Sequence, residues 1–164
     1  MRPNPISPGP GQESVWEYPR PPRLELSDRH IIIVFNGVTI ADTRGAYRVL
    51  ETSHPPTYYL PPADVHLDAL HAVSGSSLCE WKGEANYYDV LVGERRLPRV
   101  AWTYRRPSAG FEPIAGYLAF YAAPMDRCTV DGEVVVPQPG GLYGGWVTAD
   151  VVGPFKGGPG TMFW

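Results

Sequence analysis

Nineteen prolines and eighteen glycines among 164 residues constrain this chain more than any other feature. Proline lacks a backbone donor and fixes φ, while glycine has the most freedom to lose in regular structure. Spread from end to end, the two residues leave little room for long helices and favour short strands joined by turns. The expected fold is mainly β, a β-rich α+β arrangement of compact, curled antiparallel sheets with one or two short helices. Hydrophobic residues at 43% and charged residues at 19% give an ordinary globular balance. A chain of this length buries a sizeable core without disulfide or metal staples.

Three regions follow from the composition. Residues 1–26 hold seven prolines and read as an extended arm. Trp16 and Tyr18 argue that its second half is docked, with residues 1–11 loose. Residues 27–136 carry the strand patterns of a single domain. Residues 137–164 hold eight of the eighteen glycines, with Tyr143, Trp146, Val151 and Phe155 among them. That mixture suits a tail laid on the body or on a second subunit, and the second placement would make a homo-oligomer through the tail.

Within the domain, Ile31–Phe35 and Val38–Ala41 flank Asn36-Gly37, a strong hairpin signal because a type I′ turn needs positive φ at both positions. Ala46, Val49 and Leu50 have helical spacing and predict a short helix over about residues 43–51. Thr57–Leu60, residues 85–92, Val100–Tyr104 and Gly116–Tyr121 read as strands, and Ser74–Ser77 as a loop. A further hairpin is expected around Asp131-Gly132.

The net charge of -3 and pI of about 5.8 exclude a nucleic-acid backbone as the expected partner, since phosphate binding needs concentrated Lys and Arg. Arg95, Arg96, Arg99, Arg105 and Arg106 are interrupted by Glu94 and read as solvated hairpin charge. No apolar run is long enough to span a bilayer, and no membrane partner is expected. The Pro- and Gly-rich start does not resemble a signal peptide, which points to the cytoplasm and reduced thiols. Cys79 and Cys128 form no Cys-x-x-Cys pair, so no structural zinc is expected. Asp64, His66 and Asp68 would share a strand face, but on a helical turn they spread over solvent; no metal and no cofactor is expected.

Candidate chemistry clusters in two places. Trp81-Lys82-Gly83 offers a stacking wall, a cation and a backbone that a ligand can approach closely. Glu51 and His54 leave the first predicted helix in one loop, and Cys79 lies two residues before Trp81. A nucleophilic Cys79 would need a nearby His or cation. Tyr58, Trp81, Lys82, Gly83, Tyr87, Trp102 and Tyr117 are the candidate ligand-binding residues. Glu51, His54, Lys82 and Cys79 are the catalytic candidates. The leading reading is a small-molecule binding domain with an aromatic-lined pocket, suited to a planar or cationic ligand. A small enzyme using general acid–base chemistry at the Glu51, His54 and Lys82 cluster is the alternative. A structural or assembly protein is the third.

Several stretches taken together resemble a known family. They are Ile40–Thr43, Val49–Thr52, Pro56–Pro61, Asp64-Val65, Cys79–Gly83, Ala85–Tyr88, Ala101–Tyr104 and Gly116–Tyr121. In this order they resemble the bacterial DUF427 domain, and the arm and tail resemble those of an actinobacterial-type subgroup. The resemblance implies a fold and a shared pocket but no activity. Such domains sometimes carry a nucleotidyltransferase-like label. That chemistry needs a Gly-Ser pair followed by two carboxylates at alternate strand positions to hold magnesium. Gly75-Ser76 and Asp89 are present, but Leu91 stands where the second carboxylate would be.

Overall fold

A computed structural model describes residues 2–164. It is built of short strands: β1 (Glu13–Ser14), β2 (Arg23–Leu26), β3 (Ile31–Phe35), β4 (Val38–Thr43), β5 (Tyr47–Leu50) and β6 (Thr57–Tyr59). Three long strands follow, β7 (Leu70–Cys79), β8 (Gly83–Val92) and β9 (Arg95–Thr103). The chain continues through β10 (Leu118–Phe120), β11 (Arg127–Val130), β12 (Glu133–Val134), β13 (Val136–Pro137), β14 (Trp146–Val147) and β15 (Val151–Val152). The fold is mainly β. Helical structure among the described residues consists of three-residue 3-10 turns, and no helix there is long and apolar enough to cross a membrane.

Two four-stranded antiparallel sheets form the body, in the orders β10-β9-β8-β7 and β12-β11-β3-β4. Ile31, Ile33 and Phe35 of β3 face Val90, Val100, Ala101, Leu118 and Phe120 across the main core. Strand alternation then divides neighbours between two cores. Ala101 belongs to the main core, while Trp102 joins Val49, Tyr59, Tyr104, Phe111 and Ile114 in the second. The Asn36-Gly37 hairpin has φ of 48° and 75°, and Asp131-Gly132 has 49° and 82°, so both turns take the left-handed conformations their residues favour.

The helix expected over residues 43–51 does not form. Residues 47–50 are β5, paired antiparallel with β2 on one side and β6 on the other. A central strand buried on both faces reads as a continuous apolar run, and Arg48, Val49 and Leu50 are all buried. Helical spacing and a buried strand are indistinguishable over so few residues. The last residues of the N-terminal arm thus supply a sheet strand. Ser74–Ser77, expected as a loop, lies in β7, an edge strand whose register shifts between Ala72 and Ser76. Polar composition hid it, because both of its faces meet solvent there.

The two ends of the chain clasp each other. β1 pairs in parallel with β15, and β13 pairs with β14. Val15, Trp16, Tyr18, Leu50 and Val151 bury a third cluster, with Phe155 and Trp164 packed on it. The early residues also have an anchor, as the Ile6 amide donates to the Gly153 carbonyl at 2.8 Å. The tail, for which a second subunit is one of two expected surfaces, lies on its own chain. Trp146 is 1% exposed, stacks on Tyr58 with centroids 5.5 Å apart and donates its indole N–H to the Phe120 carbonyl at 3.1 Å.

Candidate functional site

A cleft of about 530 Å³ opens where the β7–β9 sheet meets β5, β6 and the tail. Its aromatic walls come from alternate positions on neighbouring strands. Tyr87 and Trp102 are cross-strand partners on β8 and β9, so their side chains share one face. Tyr59, Tyr104 and Tyr121 complete that surface. The Trp102 indole donates to the Tyr59 hydroxyl at 3.2 Å and its ring lies 4.7 Å from that of Tyr121. Burial raises the Tyr59 and Tyr104 phenols well above their ordinary range, so both stay neutral.

The polar groups arrive on turns. Glu80, Trp81 and Lys82 form the β7–β8 turn. Lys82 Nζ sits 5.7 Å from the Tyr104 ring centroid. Lys156, which also lines the cleft, has its Nζ 5.5 Å from the Tyr143 ring, and its amide is fixed by the Ser53 carbonyl at 2.9 Å. Among the described residues, neither lysine has an Asp or Glu side chain within 4.0 Å; Lys156 Nζ donates to the Trp164 main-chain oxygen at 3.5 Å. Burial and the nearby Arg20 guanidinium lower the Lys156 pKa. Glu51, by contrast, is engaged: its Oε2 lies 3.3 Å from Arg20 Nε and 3.5 Å from His54 Nε2.

His54 is 9% exposed. Burial pushes its pKa down to about 4, against the pull of Glu51 and with help from Lys156, Arg20 and Lys82. It is therefore neutral at physiological pH. The Tyr143 ring meets it edge-on at 4.8 Å, and Gln138 Nε2 lies 2.9 Å from its Nδ1.

The structure thus brings Glu51, His54, Cys79, Trp81, Lys82, Tyr87 and Trp102 to one cleft. Three other candidates lie elsewhere. Tyr58 points into the main core, 1% exposed, where Arg29 donates to its hydroxyl. It is the adjacent Tyr59 that lines the cleft, because β6 sends successive residues to opposite faces. Tyr117 packs edge-on against Tyr47, outside the cleft lining. Gly83 has φ of 108° and its missing Cβ faces Ser108, whose amide donates to the Lys82 carbonyl at 2.8 Å. The close approach that glycine permits there is made by the chain itself.

The ligand-binding set read from the sequence leaves out Tyr59, Tyr104, Tyr121, Tyr143, Lys156 and Gln138. The last three sit in or beside segments whose partners are set only by tertiary pairing. The tail also closes the cleft tightly. A Cβ on Gly144 would lie 2.1 Å from Cη2 of Trp102. Gly144→Ala is expected to displace that indole, cost about 1–3 kcal/mol and alter the near-UV circular dichroism; an unchanged spectrum with unchanged stability would refute the contact.

A second cavity of about 310 Å³ lies behind this strap, between Arg99, Ala122 and Gly141, and shares Tyr121, Tyr143 and Gly144 with the cleft. It contains none of the candidate residues. Cys128 lies in the main core and lines neither cavity, and burial pushes its thiol up to about 12, which leaves it unreactive. Among the described residues no three His, Cys, Asp or Glu side chains gather as a metal site; the Asp64 carboxylate instead accepts the Thr43 hydroxyl at 2.7 Å. Asp89, the carboxylate a nucleotidyltransferase would need, is occupied by Arg96 Nη1 at 2.7 Å and the Arg99 amide at 2.8 Å.

No curated protein matches the chain significantly. Residues 23–131 match the family described as Domain of unknown function (DUF427), a span running from β2 to the turn after β11, and the chain belongs to that family.

Proposed function

We propose that this chain is a small-molecule binding domain whose cleft takes a planar, anionic ligand. The observation that carries the reading is the convergence on one aromatic-walled cleft of two lysines, Lys82 and Lys156, that have no Asp or Glu side chain as partner among the described residues. Aromatic faces favour a flat ligand body. The lysines turn the expectation away from a cationic ligand, which they would repel, and towards a carboxylate or phosphate. Glu80 is exposed at the rim, where water screens its opposing charge.

General acid–base chemistry at Glu51, His54 and Lys82 is less well supported. A base near neutrality needs a pKa near the working pH, and burial holds His54 at about 4. Glu51 is already paired with Arg20.

A matched pair of probes tests the reading: indole-3-acetate, a flat anion, against tryptamine, a flat cation. Ligand that binds only the folded state stabilises it by about 2.7 kcal/mol at roughly a hundredfold excess over Kd. Thermal denaturation at millimolar probe should show an upward shift with indole-3-acetate and none with tryptamine. Lys82→Ala and Lys156→Ala should each remove most of that shift. Equal responses to both probes, or shifts that survive the double lysine variant, would overturn the anionic assignment.

A further inference from the structure

A buried amide on the tail decides which face of His54 the cleft offers. Gln138 is 3% exposed, and each of its two polar atoms has a backbone partner. Its Oε1 accepts the Gly145 amide at 3.0 Å. Its Nε2 donates to the Lys156 carbonyl at 2.9 Å. Reversing the amide would set oxygen against the Lys156 carbonyl and N–H against the Gly145 N–H, so the orientation is fixed by two backbone groups of opposite character. The remaining Nε2 hydrogen meets His54 Nδ1 at 2.9 Å.

A donor there requires a lone pair on Nδ1. Neutral imidazole then carries its proton on Nε2. The imidazolium form would place N–H against N–H at Gln138, so the contact disfavours charge as well as the other tautomer. Nε2 lies on the side of Glu51, which lines the cleft. Lys82, Lys156, Arg20 and the Tyr143 ring are the other groups acting on this imidazole.

We propose that Gln138 is a positioning residue that locks His54 in the Nε2–H tautomer, so that the cleft presents a hydrogen-bond donor there and selects ligands carrying an oxygen acceptor. This rests on the binding reading for its consequence, but the lock itself is a property of the free protein. The class of ligand narrows to a flat anion with a carbonyl, hydroxyl or carboxylate oxygen at the His54 end. A hydroxyl fits best, since it can accept from Nε2–H and donate to the Glu51 carboxylate beside it. An N–H or ammonium group at that end would meet the imidazole donor directly.

The test uses the full chain, labelled with ¹⁵N, and long-range ¹H–¹⁵N correlation of the imidazoles at about pH 7, with His54 assigned from the spectrum of His54→Asn. Wild-type protein should show an unprotonated Nδ1 and a protonated Nε2. Gln138→Glu replaces the donor with an acceptor and should move the proton to Nδ1. Gln138→Met removes the donor at similar volume and should leave a mixture of tautomers. An Nδ1–H or averaged signal in the wild type overturns the proposal whatever the variants do. So does a wild-type pattern that persists in either folded Gln138 variant. Failure of indole-3-acetate to bind would leave the tautomer result standing and count against the binding reading alone. If indole-3-acetate binds as proposed, the Nε2–H resonance should shift on its addition; binding that leaves this resonance unmoved overturns the donor role.

Discussion

Deleting residues 138–164 is expected to leave a chain without a cooperative folding transition, although the deletion begins beyond the family-matched span of residues 23–131. The tail completes the core. Trp146 lies in the main cluster beside Tyr58, Leu118 and Phe120, and removing a buried tryptophan side chain costs about 3–5 kcal/mol by itself. The deletion also removes Val151, which helps bury Trp16, and the ion pair from Asp150 to Arg29 at 2.5 Å. Whole domains are stable by only about 5–15 kcal/mol, so the loss consumes most of the margin. Trp146→Ala in the full chain isolates the largest part, with an expected loss of about 3–5 kcal/mol in urea unfolding. The Phe120 carbonyl also loses its indole donor. A truncated chain that unfolds at the same urea concentration as the full one would show that the domain is self-sufficient.

How much of this was legible beforehand depended on whether the information was local. The Asn36-Gly37 and Asp131-Gly132 hairpins were readable because the turn residues themselves impose positive φ. The clustering of Glu51, His54, Cys79, Trp81 and Lys82 was half-readable. Each lies in a turn or at a strand end, where side chains are free to converge, but nothing local says that the residue 51–54 turn meets the β7–β8 turn. The aromatics that lie outside the cleft are instructive. Tyr58 and Tyr59 are chemically identical neighbours, and only the parity of a three-residue strand sends one to the core and the other to the cleft. Parity is invisible when a strand is too short to show its alternation. β5 failed for the converse reason: packing covers both of its faces, with Val49 in the second core and Leu50 in the third cluster, and erases the alternation altogether. Lys156 and Gln138 were hidden because the tail's route is set by its long-range pairing with β1 and β13.

Arg48→Ala carries the largest expected effect of any single charged residue in the body. Its side chain is 2% exposed and bridges two strands, reaching Glu13 Oε1 of β1 at 3.0 Å and Glu25 Oε1 of β2 at 2.5 Å. Breaking a fully buried ion pair costs about 3–5 kcal/mol. Here both carboxylates are 39% exposed and can regain water, so a loss of about 2–3 kcal/mol is expected. The same substitution should change how stability responds to acid. Burial alone would raise the Glu13 pKa, but hydrogen bonds from Arg48 and Tyr18 outweigh it and hold the carboxyl below its ordinary 4.5. A carboxyl lowered by folding stabilises the native state above its unfolded pKa, and that contribution disappears as pH falls through the folded value. His54 acts earlier: its folded pKa of about 4 lies below its ordinary 6.5, so the unfolded state binds the proton first and stability declines as pH drops from 6.5 towards 4. Urea unfolding across pH should therefore show two stages in the wild type, an imidazole stage and then a carboxylate stage. Arg48→Ala should keep the first, because His54 and its neighbours are untouched, and flatten the second. A variant that loses stability evenly at every pH, with the carboxylate stage intact, would mean that Arg48 holds the strands together by packing its aliphatic stem and not through Glu13.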